Sequence, residues 1–312
     1  MKDIGKKGTL LIVSILLLVC TLLYISVAWY TKMTSVSGMD FRAAKWDFNA
    51  NYQVDSFIVN VYEYTNVTKD RAAPGTAGEI PILLNAENAD TDVEYFLYID
   101  KSSMSAEFQK RLFFYYKVDG SEEMIQFKDK TTVMEGIIPL NSNKSLQNKE
   151  VKIYWEWVYD YLESLKKLKD DRYPALKVLY DLNPVNLELF LNNISGCIDG
   201  TKKLYEVDEN NKIVYQTNTS GEFILDEFGD KIPLVSANPM PQKDRDTLNA
   251  YLSTHAGSSI KTLWEEYLTA SEQYDAFDTK VGTHTALYEN EMSANVIISG
   301  EQVKPQQKTN NE

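Results

Sequence analysis

The stretch "VKIYWEWVYDYLESLKKLKDDRYPALKVLYDL" (151–182) changes period halfway. From Val151 to Trp157, apolar Val151, Ile153, Trp155 and Trp157 alternate with Lys152, Tyr154 and Glu156. That is the signature of a strand with one face in a core. From Leu162 onward, Leu162, Leu165 and Leu168 recur at helical spacing, and the helical character runs to Leu182. Pro174 is expected to end or kink this helix, because proline lacks the amide that the helix interior requires. A strand closing on two tryptophans belongs to a packed sheet, yet the chain runs straight on into charged helical sequence. The flanking segments show where the sheet resumes.

Upstream the chain is β in character. In 43–64, Phe57, Val59 and Val61 share one strand face, with the more mixed Ile58, Asn60, Tyr62 and Tyr64 on the other. Pro74-Gly75 marks a turn. Ile80 to Leu84 reads as a strand, Asn85 to Asp92 as a polar turn, and Val93 to Ile99 as a strand with Val93, Tyr95, Leu97 and Ile99 on one face. Residues 111–127 form a hairpin pattern around Asp119-Gly120. Short strands with turns at regular spacing point to an antiparallel sandwich. Downstream, 183–196 reads as a short helix with Asn183 as cap, Pro184 in its first turn and Gly196 as stop. The segments 203–215 and 222–235 each read strand, acidic turn, strand, and 238–273 is mostly helical, with an apolar stripe of Leu248, Leu252, Ile260, Leu263 and Leu268. Residues 274–305 hold a polar loop and a last strand from Ala294 to Val303, and 306–312 have the composition of a disordered tail.

Composition narrows the function. The 312 residues carry a net charge of −13, which repels phosphate backbones and argues against nucleic acid. Cys20 lies in an apolar run, which leaves Cys197 without a partner for an internal disulfide. That run, Leu10 to Ala28, follows Lys2, Lys6 and Lys7. Ser26 and Ala28 occupy the −3 and −1 places of a signal-peptidase site, with Trp29 as the new N-terminus. The same run is long enough to span a bilayer as a retained anchor. Residues 1–28 are therefore a signal peptide or a membrane anchor, an apolar helix in either case, and the remainder is expected to be exported.

Several stretches together resemble the TasA and camelysin group of exported bacterial surface and matrix-fibre proteins. They are the leader ending "VAWYT", the block "APGTAGEIPILLNAENADTDVEYFLYI" with Pro74 and Gly75, the strand with Trp155, Glu156 and Trp157, the loop-like "FDTKVG" with Asp278, Thr279 and Gly282, and the closing "SANVIISGEQVKP". In that group the loop follows the tryptophan strand within a few residues; here 162–273 stands between them. The resemblance implies a mainly β, jelly-roll-like sandwich made of 29–161 plus 274–305, with an inserted, largely helical subdomain at 162–273. It also implies assembly into fibres, as in a biofilm matrix, by donation of an N-terminal strand to a neighbouring subunit.

Signs of catalysis are absent. The sequence has no HExxH, GxSxG, P-loop, CxxC or GxGxxG. His255 and His284 have no acid at metal-ligand spacing, so neither a zinc site nor a cofactor is expected. Glu156 is expected to be a solvated strand residue, and Gly282 is expected to supply a turn's special backbone angle. The acidic groups Asp208-Glu209 and Asp226-Glu227-Asp230 suit polar turns better than calcium. The expected role is structural, in self-association or assembly with related surface subunits after passage through the export and signal-peptidase machinery. The alternative is a membrane-anchored extracellular binding module that uses the helical segment for recognition.

Overall fold

A computed structural model describes residues 47–66, 72–118, 120–128, 130–236, 240–255 and 257–303. Ser26, Ala28 and Trp29, the proposed donor segment up to residue 46, and the tail lie outside them. Two antiparallel sheets face each other across one core. The first has the order β1 (Asn49–Ala50), β3 (Ala77–Asn85), β8 (Asn148–Trp157), β5 (Leu112–Lys117), β6 (Met124–Gln126). The second has the order β2 (Ser56–Asn60), β9 (Ser293–Gln302), β4 (Val93–Asp100), β7 (Met134–Ile138). Strict alternation fixes which face is inside. In β4 the buried residues are Val93, Tyr95, Leu97 and Ile99, and in β3 they include Ile80, Ile82 and Leu84. A slip of one residue would turn each set to water, so the register is strongly specified.

Aromatic residues cross the sheets over glycines. Trp155 is opposite Gly78, and Tyr95 stands between Gly136 and Gly300. A Cβ at Gly78 would overlap the Trp155 indole and the Tyr64 carbonyl, and one at Gly136 would overlap the Tyr95 ring.

Between β8 and β9 the chain builds a second hydrophobic core. Helices α1 (Tyr161–Leu168), α2 (Tyr173–Asp181), α3 (Pro184–Asn192), α4 (Ile194–Asp199), α5 (Gln242–Thr254) and α6 (Ile260–Thr283) surround Leu165, Leu176, Leu179, Phe190, Leu248 and Leu263. Leu252 and Trp264 pack on it partly buried, and Leu268 of the expected stripe is exposed. Asn183 caps α3 by accepting the Asn186 amide, with Pro184 in the first turn. Gly196 is not a stop. It lies inside α4, and the left-handed residue that ends that helix is Gly200. Nor does Pro174 break a long helix. Helix α1 ends earlier, at Lys169 (φ 56°), whose amide bonds back to the Leu165 and Lys166 carbonyls, and Pro174 sits in the first turn of α2.

Residues 277–282, expected as a loop, form the last turns of α6, so Gly282 is helical and has no special backbone angle. Helix α6 runs through residue 273 without a break. It gives Ile260, Leu263 and Tyr267 to the second core and Val281 to the first. Among the described residues no helix is long and apolar enough to cross a membrane.

Between α4 and α5, residues 204–236 form three hairpins whose turns share one design. Asp208, Asn218 and Asp226 each accept the backbone amides two and four residues on, and Asn211, Gly221 and Gly229 supply positive φ. Two closed rings of backbone hydrogen bonds join the hairpins. One runs Glu206 to Leu234 to Val214 and back; the other runs Gln216 to Ile232 to Ile224 and back. No residue of the unit is buried.

Candidate functional site

Three places stand out by their chemistry or their exposure. The first is the junction of the two cores. Arg111, immediately before β5, is wholly buried (0% exposed). Its Nε donates to Asp278 Oδ1 of α6 at 2.5 Å, its Nη1 to Glu107 Oε2 at 2.7 Å, and its Nη2 to the Tyr274 carbonyl at 3.0 Å. The guanidinium stacks on the rings of Tyr274 and Phe277, 3.7 and 4.3 Å from their centroids. The Trp157 indole N–H faces Asp278, but neither it nor Asp278 Oδ2 completes a hydrogen bond. Burial pushes the Asp278 carboxyl up to about 6 although Arg111 pulls the other way. Tyr274 donates its hydroxyl to the Val158 carbonyl at 2.6 Å, and its ring lies 5.3 Å from that of Tyr161. The resemblance-bearing residues meet here. Gly75 (φ 85°) donates to the Trp157 carbonyl at 2.9 Å, closing the Pro74-Gly75 turn against the end of β8, and Gly282 approaches Pro74. Thr279 is exposed and takes no part.

The second place is a cleft of about 470 Å³ on the outer face of the first sheet. Its floor is β3 and β8 beside Gly78, and its far wall is Lys167 of α1. Glu156 is not simply solvated. It accepts the Tyr115 hydroxyl in a short hydrogen bond and pairs with Lys167 Nζ at 2.7 Å, while Lys167 reaches the Tyr115 oxygen at 3.0 Å. Burial and the Glu156 carboxylate both raise the Tyr115 phenol, so it is a hydrogen-bond donor at neutral pH. Nearby, Glu79 pairs with Lys152 at 2.7 Å.

The third place is a sheet edge. Among the described residues β2 pairs with β9 alone. Its sequence SFIVN has neither charge nor proline, and Ile58 is 71% exposed. Edge strands are ordinarily protected by such residues, and β2 lacks them.

His255 stacks on Tyr251 and His284 caps the end of α6. Among the described residues no group of three or more His, Cys, Asp or Glu could hold a metal. The side chains of Asp208 and Asp226 are used within their own turns. Sequence reasoning missed Arg111, Tyr115 and Lys167. Arg111 is a single charge abutting the run LFFYY, and its partner Asp278 is 167 residues away in the chain, so no local signal reveals the pair. No family model, curated protein or solved structure matches the chain.

Proposed function

We propose that this protein is an exported structural or assembly protein of the cell surface or extracellular matrix, a jelly-roll-type subunit without catalytic activity that associates with further copies by strand addition. The observation that carries the reading is the edge of β2. Its outward backbone groups face no strand among the described residues, and an uncharged edge with an exposed isoleucine is a template for another strand. Tyr52 and Val54, just before it, are also exposed and enlarge the apolar margin. The sequence resemblance points the same way.

The test compares protein beginning at Trp29 with its Ile58→Lys variant by light scattering over a range of concentrations. We expect concentration-dependent growth of the parent and its loss in the variant, because a charge on the edge opposes pairing. A monomeric parent, or equal growth of both, overturns the proposal. The second reading, an anchored binding module, is favoured by the cleft, one wall of which comes from α1. N-terminal sequencing of exported material separates the two. A chain starting at Trp29 fits the first reading, and a retained leader fits the second.

A further inference from the structure

The cleft beside Glu156 has its own chemistry, independent of assembly through β2. Its volume of about 470 Å³ is in the range of small-ligand sites. Each of its carboxylates already holds an ammonium: Glu156 holds Lys167 and Glu79 holds Lys152, both at 2.7 Å. An incoming cation would have to compete with a lysine, and an incoming anion would face two carboxylates. The compensated pairs therefore favour a ligand without net charge.

A peptide strand is also disfavoured. β8 is hydrogen-bonded on both sides, to β3 and β5; on its other side β3 meets β1 at Leu84 and Asn85 and Asn66 at Ala77, and Pro81 between these points has no amide to donate, so the floor is a poor template for strand addition. What the cleft does offer is a mixture. Carboxylate oxygens accept, and the Lys167 ammonium and the amide of Asn66 donate. Tyr154, Tyr115 and Met124 add apolar surface beside them. A hydroxyl both donates and accepts, and a sugar ring joins several hydroxyls to an apolar C–H face. The Tyr115–Glu156–Lys167 contacts are already made, so little side-chain freedom is lost on binding.

We propose that this cleft binds a neutral saccharide, with a ring against Tyr154 and its hydroxyls bonded to Glu156 and Lys167. The test is calorimetric titration of the whole protein with maltotriose, cellotriose and tri-N-acetylchitotriose, with free lysine and succinate as charged probes. Glu156→Gln, Lys167→Met and Tyr154→Ala are tested alongside. Glu156→Gln preserves shape, so it remains informative if the tyrosine variant is unstable. We expect at least one trisaccharide to bind and Glu156→Gln and Lys167→Met each to weaken it about tenfold, the loss of roughly one hydrogen bond to a charged group. Absence of binding by all three trisaccharides, binding unchanged in both variants, or tighter binding of lysine or succinate overturns the proposal.

Discussion

At the scale of single residues, the structure turns on Asp278. It is 6% exposed, one of its oxygens is matched by Arg111, and the other is not matched. Its carboxyl titrates near 6 in the fold against an ordinary 3.8, so between those values the folded protein holds a proton that the unfolded chain has released. The contribution of Asp278 to stability therefore rises as pH falls through about 6 and levels off near the unfolded value, and above 6 its ionised carboxylate subtracts from stability. We expect Asp278→Asn to flatten this part of the profile, measured by urea unfolding at a series of pH values across the window. An unchanged slope would show that the proton resides elsewhere. Asp278 also explains where sequence reading failed. Tyr274, Phe277, Asp278 and Val281 are spaced as the inward face of a helix. An acid in that stripe makes it read as a polar loop, and only a buried arginine distant in sequence makes the position intelligible.

At the scale of elements, the strands were legible because the period of two survives in composition. Every inward residue of β4 expected from alternation is buried, and Phe57, Val59 and Val61 behave likewise, with Val59 and Val61 buried and Phe57 packed against the core. Helices α1 to α3 were legible from leucine spacing and the Asn183-Pro184 start, whereas their ends were misjudged. Lys169 takes a left-handed conformation that nothing in its side chain announces, and Gly196 is used inside a helix. The hairpin unit was half legible. Its acidic turns were visible, but its rings were not, because backbone hydrogen bonds leave no compositional trace. Those rings carry a prediction. The amides of Glu206, Val214, Gln216, Ile224, Ile232 and Leu234 are all bonded, although none of these residues is buried. Exchange protection follows the opening of hydrogen bonds rather than burial alone. We expect these six amides to exchange more slowly in deuterium than those of the turn residues Glu209, Thr219 and Glu227. Equal rates would mean that the rings open independently.

At the scale of the whole molecule, α6 links the two cores. Its 24 residues span about 36 Å. Tyr161 lies against both Tyr267 and Tyr274 on this helix, with centroids at 5.9 and 5.3 Å. Ala270 lies between the residues that serve each core and is itself in neither. A proline there removes one helical hydrogen bond and costs roughly 3 kcal/mol, while leaving both cores chemically intact. We expect wild-type protein to unfold in one calorimetric transition and Ala270→Pro to separate it into two. A single transition in the variant would mean that the Arg111 junction alone couples the cores.

The hairpin unit also bears on how such a chain can change over generations. Its last residue, Ser236, donates to the carbonyl of its first, Leu204, at 2.8 Å. The chain thus leaves the unit one hydrogen bond from where it entered. Its stabilising rings are internal, and it is tied to the helices near its entry, where Leu204 packs partly buried on their core and the Asn186 side chain bonds both backbone groups of Tyr205. A lineage could therefore lose residues 206–235 in a single deletion or gain them in a single insertion, with Leu204, Tyr205 and the helical core they touch left in place.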